Sequence, residues 1–149
     1  MREPSKDAVE MAWYDLDAWA TFDDDRVRRV VAQALALVPG HQAERVIGKV
    51  RFIGAWQPAY YPAEELAGYA LVVLGDEADE DSVLICLHEL AHHVLGHRTR
   101  WPRVDESNEQ LHTRVDQEEA AAWALACEWA SPLSEAEIRR VAALNETKR

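Results

Sequence analysis

The chain reads as an α+β domain, a small mixed or antiparallel sheet packed against helices. Three observations predict it: two short apolar strand-like runs in its first half, helix-periodic apolar stretches before and after them, and a long alanine-rich helical run near the end. A length of 149 residues suits one domain over 1–149, with 1–20 as an N-terminal arm or helix. The hydrophobic fraction of 48% beside 29% charged residues belongs to a chain that buries a core rather than one that stays disordered.

Along the chain, Trp13, Tyr14, Leu16 and Trp19 recur at nearly helical spacing and predict a short helix or arm laid on the body. DDDRVRRVVAQALALVPG opens with acids suited to a helix N-terminus. It sets Val27, Val30, Val31, Ala34, Leu35 and Val38 on one face until Pro39-Gly40 ends it. In RVIGKVRFIG, Val50 and Phe52 alternate with Lys49 and Arg51, the period of a half-buried strand. YALVVLG, residues 69–75, predicts a second strand. Between them the two prolines and three aromatics of AWQPAYYPAEELAG predict an irregular segment or a distorted edge strand. A helix follows from about Ser82 to Arg98, then a loop around Arg100 to Ser107. A long helix from about Glu109 to Ala130 stops before Pro132, and Ser134 with Glu137 forms a capping-box pattern that opens a last short helix.

The formal charge of −11 argues against a broad nucleic-acid surface, which needs clustered Lys and Arg to displace counterions. Cys86 and Cys127 both lie in apolar helical sequence, so they read as reduced, small hydrophobes. Neither an apolar run of signal-peptide length nor one approaching a membrane span occurs, and the location this predicts is cytoplasmic.

Chemistry concentrates in LHELAHHVLGH, residues 87–97, which holds four of the six histidines. His88-Glu89-Leu90-Ala91-His92 is HExxH. On a helix, i and i+4 lie one above the other, so His88 and His92 offer two imidazole nitrogens to one ion, and zinc prefers such ligands. Glu89 sits about a quarter turn round and is the candidate general base. Leu84, Leu87, Ala91, Val94 and Leu95 gather on one side of this helix with the two histidines at its border, whereas His93 and His97 point further round. The plainer alternative is a helix with core histidines and no metal.

A catalytic zinc needs a third protein ligand and an open position. Metzincin spacing is absent, because Leu95 and Arg98 stand where that pattern has Gly and His. DQEEAAAWALACEWASP instead supplies Glu118 and Glu119 in an alanine-rich apolar run, where a buried carboxylate needs a partner. Glu119 is the first choice, Glu118 the second, and His112 an outside candidate.

HELAHHVLGH followed about 20 residues later by EAAAWALACEWASP resembles the ImmA/IrrE family of small zinc metallopeptidases, whose pattern is HELxH and then a helix of the form ExEANxFAxxLLxP. The likeness covers about the second half of the chain and sets Glu119, Ala122, Leu125 and Pro132 on the pattern, with Ala121 and Trp123 departing from it. It implies a zincin-like minimal fold with an active-site helix and a glutamate helix. It also implies an intracellular endopeptidase that cuts a protein partner such as a repressor or antitoxin; several members carry a DNA-binding segment, but none fits this sequence, so no direct nucleic-acid contact is expected. The expected site is then zinc on His88, His92 and Glu119, with Glu89 as the base and Tyr60, Tyr61 or His112 as candidates to stabilise the oxyanion. YALVVLG is the strand expected to pair with an extended substrate. Trp123, in an asparagine's place, favours a rival: a zinc-bearing binding module without protease activity. A SprT-like protease using His112 as third ligand is a further alternative.

Overall fold

The computed structural model describes residues 3–19, 25–55, 58–63, 70–75, 79–131, 136, 139–140 and 142–143; of 14–19 and 79–80 it describes the backbone alone. Helix α1 (Lys6–Trp19) starts where Ser5 Oγ accepts the N–H of Ala8 at 3.1 Å, a cap for one of the donors a helix start leaves unpaired. It packs on α2 (Asp25–Leu35) through Ala12, Val9 and Trp13. The Arg28 guanidinium lies 3.6 Å from the centre of the Trp13 ring, a cation–π contact that holds the pair together. The side chains of Tyr14, Leu16 and Trp19 lie outside the described residues.

In α2 the predicted stripe is the buried one: Val27, Val30, Val31, Ala34 and Leu35 all face the core, and Val38 is buried just past the helix end. From the polar side Arg26 reaches Gly75 O at 3.0 Å and Ser82 Oγ at 2.7 Å, tying α2 to the start of the histidine helix. Beyond Pro39 comes a single turn, α3 (Gly40–Ala43), which the sequence reading did not anticipate. Its Gln42 accepts the indole N–H of Trp129 at 2.7 Å.

The sheet is mixed, three strands in the order β1 (Val50–Gly54), β3 (Ala70–Leu74), β2 (Ala59–Tyr61). β1 runs parallel to β3 with Val50 opposite Ala70, and β2 runs antiparallel with Tyr60 opposite Val72. On β1, Val50 and Phe52 are buried and Ile53 is exposed, as the alternation predicts. Gly54 lets α2 close onto the sheet, since a Cβ there would lie 2.9 Å from Val27 Cγ2. One expectation is corrected here. The YALVVLG strand is β3, the central strand with neighbours on both sides, so it has no free edge for a substrate. Among the described residues the edges belong to β1 and to β2, the latter formed in the proline- and aromatic-rich segment.

Helix α4 (Asp79–Val94) carries HExxH and packs against α2, β2, β3 and α5 (Asn108–Trp129). It ends earlier than the predicted Arg98. Leu95 consequently falls in the closing turn, 44% exposed, instead of joining the apolar stripe. Ser107 and Gln110 form a reciprocal capping box at the start of α5, with Oγ accepting at 3.1 Å and Oε1 at 2.9 Å. The proposed cap residues of the last helix, Ser134 and Glu137, lie outside the described residues, although helical backbone occurs at 136, 139–140 and 142–143. No described helix is long and apolar enough to cross a membrane, and both cysteines are free thiols. Burial pushes the Cys86 thiol well up, helped by the Glu89 charge, so it is unreactive at neutral pH.

Candidate metal centre

His88, Glu89 and His92 are wholly buried on the side of α4 that meets α5. The two imidazoles stand one turn apart with ring centres separated by 4.6 Å. From α5, Glu119 lays its carboxylate across both: Oε2 is 2.9 Å from His88 Nε2, and Oε1 is 3.1 Å from His92 Nε2. One ligand atom from each of the three lies within 4.8 Å of the others, close enough to hold a metal ion. A tetrahedral zinc with bonds of about 2.1 Å needs its ligand atoms about 3.4 Å apart, so small rotamer adjustments suffice.

His92 Nε2 tests whether the site fits a metal. This atom is buried and, although Glu119 Oε1 stands 3.1 Å away, it makes no hydrogen bond, an arrangement that ordinarily costs about 1–3 kcal/mol. A lone pair turned toward an ion would fit that arrangement. On the other side of the ring, His92 Nδ1 lies 2.9 Å from His97 Nδ1. With Nε2 kept for a metal, Nδ1–H donates to His97, the kind of outer hydrogen bond that fixes a ligand's tautomer. Burial first, and then the neighbouring His92, lower the pKa of His97, which suits it as the neutral acceptor.

Each ligand imidazole also rests on an aromatic ring. Trp123, one turn beyond Glu119 on α5, stacks on His88 at 4.0 Å and 9° between planes. Tyr60 of β2 lies nearly parallel to His92, 6.1 Å away and tilted by 21°. Trp123 therefore meets the cluster through the face of its ring. Its signal was in the sequence, because Glu119 and Trp123 are four residues apart and share a helix face.

The other sequence candidates fall elsewhere. Glu118 is buried, but its Oε1 accepts the backbone N–H groups of Arg98 at 2.9 Å and Thr99 at 2.8 Å, and Arg114 Nη1 donates to both its oxygens. It is a structural carboxylate that fastens the turn after α4 to α5. His112 is exposed and two helical turns, about 10 Å, from Glu119, outside the cluster. His93 Nε2 donates to Arg45 O at 2.7 Å, which leaves Nδ1 to accept the Tyr60 hydroxyl at 3.1 Å. Tyr60 is thus committed as a donor to His93, and Tyr61 OH accepts from Arg100 at 3.1 Å.

Glu89 Oε1 lies 3.4 Å from His88 Nδ1, the nitrogen facing away from Glu119. Burial alone lowers the pKa of His88, but the Glu89 charge and hydrogen bonds with Glu119 and Glu89 outweigh it and raise the group overall. Beside Glu119 a cavity of about 200 Å³ opens between β2, the turn at Thr99 and Arg100, and α5. That cavity gives an external molecule a route to the carboxylate.

Comparison with protein-family models, curated proteins and solved structures finds no match to this chain.

Proposed function

We propose that this chain is a zinc-dependent endopeptidase of the ImmA/IrrE kind, acting in the cytoplasm on a protein partner such as a repressor or antitoxin. The observation that carries the reading is the convergence of His88, His92 and Glu119, from two separate helices, beside a cleft. Two imidazole nitrogens and one carboxylate oxygen are the donor set of a catalytic zinc with a position left open. Zinc held there supplies Lewis acidity, lowering the pKa of water toward about 7 and polarising a carbonyl. Glu89 takes the proton from the attacking water and returns it to the leaving amine. His97 and the rings of Trp123 and Tyr60 hold the two imidazoles in line. An extended substrate pairs with the outer side of β2, which has no other strand against it among the described residues.

One contact favours a second reading. The Glu89 carboxylate rests against His88 Nδ1, the posture of a residue that orients a ligand, as in a zinc-bearing binding module. A single variant separates the two. Purified protein is expected to hold about one zinc per chain, and Glu89→Gln is expected to keep that zinc while losing cleavage of a fluorogenic peptide library. Full cleavage by Glu89→Gln, or full zinc content in His88→Ala, overturns the peptidase reading.

A further inference from the structure

We propose that Arg100 forms a subsite for an acidic side chain of an extended peptide, adjoining the metal centre. This rests on the peptidase reading and specifies the substrate class for it. The cavity beside Glu119 shares Ala59 and Arg100 with a second, larger one of about 400 Å³, walled by Ile53, Leu71 and Val73 on the outward face of the sheet. A groove therefore leaves Glu119, passes the guanidinium and continues over an apolar floor.

Charge selects the occupant. Apart from Arg100, the only charged group among the described residues lining either cavity is Glu119, whose oxygens are turned to the two imidazoles. Arg100 donates to the Tyr61 hydroxyl at 3.1 Å and lies 5.6 and 5.8 Å from the Tyr61 and Trp101 ring centres; no described carboxylate pairs with it. In a chain of net charge −11, a cation facing a cleft without an acidic partner among the described residues marks a place for an anion from outside.

The backbone on either side of this arginine is fixed. Thr99 is buried at φ 52°, a left-handed conformation that a β-branched residue adopts only under constraint, and its N–H is bonded to Glu118. Trp101 O accepts from Arg114 Nη2 at 3.1 Å. Arg100 is thus presented from a braced turn, as a specificity residue requires. The anion is a side chain and not a chain terminus, because the groove runs on past the guanidinium and has room for further residues there.

The test measures binding by fluorescence anisotropy to the zinc-loaded Glu89→Gln protein. The probes are fluorescein-labelled, C-terminally amidated octapeptides carrying Leu-Glu or Leu-Gln in an Ala-Gly background. The Glu peptide is expected to bind about fivefold tighter than its Gln twin, the scale of one partly screened ion pair. Arg100→Gln is expected to abolish that ratio, and Arg100→Glu to favour a Leu-Lys peptide instead. Equal affinities for the Glu and Gln peptides, or a ratio that survives Arg100→Gln, overturn the subsite. So does equally tight binding of the Gln peptide once its C-terminus is left as a free carboxylate. Cleavage by the wild-type protein is scored separately. Discrimination without cleavage leaves the subsite standing and removes the peptidase reading; cleavage without discrimination does the reverse.

Discussion

At the scale of single residues, two adjacent glutamates divide the work of α5. Glu119 faces the imidazoles and Glu118 faces Arg114 and the turn at Arg98–Thr99, since neighbouring helix positions point about 100° apart. Their alanine variants should fail differently. Glu119→Ala is expected to lose zinc, measured by elemental analysis, while its metal-free form melts close to wild type. Glu118→Ala strands a largely buried Arg114 and two backbone N–H groups, and is expected to cost about 3 kcal/mol in urea titrations, near the low end for breaking a buried pair because Arg114 keeps Glu106. Similar zinc loss in both variants would contradict this division. Trp123 makes a related prediction through its stack on His88. Trp123→Ala is expected to cost about 3 kcal/mol of stability and to weaken zinc binding about tenfold in competition with a chromophoric chelator. Trp123→Phe, which keeps an aromatic face on the imidazole, should recover most of the affinity.

At the scale of elements, the link between α4 and α5 is held by a network that no local pattern reveals. Arg114 Nε bonds Glu106 Oε2 at 2.7 Å, and Glu106 Oε1 accepts the Arg103 N–H at 3.1 Å. The bonds from Arg114 chiefly hold the Glu106 carboxyl down to about 2. Because that lies below the ordinary value of about 4.3, the stabilisation is present above about pH 4.3 and is lost as the pH falls through about 2. Metal-free Glu106→Gln is therefore expected to be less stable than wild type at pH 7, and the gap should close between about pH 4 and pH 2 in urea titrations. A gap that stays constant over that range would show that Glu106 does not titrate with the fold. The legible parts were those with a local period: the α2 stripe, the Val50–Phe52 alternation, and His88 and His92 one turn apart. Ser107-x-x-Gln110 was equally local and marks the true start of α5. Strand order was harder, because a period of two says that a strand exists and not who its neighbours are. Even so, the nearly uninterrupted burial of Ala70, Val72, Val73 and Leu74 matches an apolar run that favours a central strand over an edge. The role of Glu118 was not legible, since its partners come from a turn whose path only the fold defines.

At the scale of the whole molecule, the candidate metal site is also a fastening between two halves of the core. α4 buries Leu84, Leu87, Leu90 and Ala91 toward the rest of the core, while α5 contributes Ala122, Ala126 and Trp129. Between them, three polar ligand residues occupy space that apolar contacts would otherwise fill. Without an ion, His92 Nε2 stays buried without a hydrogen bond, 3.1 Å from the one carboxylate that both imidazoles share. Binding should therefore stabilise the fold beyond the local bonds, because the unfolded chain offers no preformed site. At a free zinc concentration a thousandfold above the dissociation constant the gain is about 4 kcal/mol. For a chain of this length, at about 3 °C per kcal/mol, the melting temperature should rise by about 12 °C over the metal-free protein in calorimetry. His92→Ala and Glu119→Ala should each erase most of that rise, whereas His112→Ala, exposed and remote from the cluster, should retain it. If zinc produced the same rise in all three variants, the ion would be bound elsewhere, and the convergence of α4 and α5 on one site would lose its support.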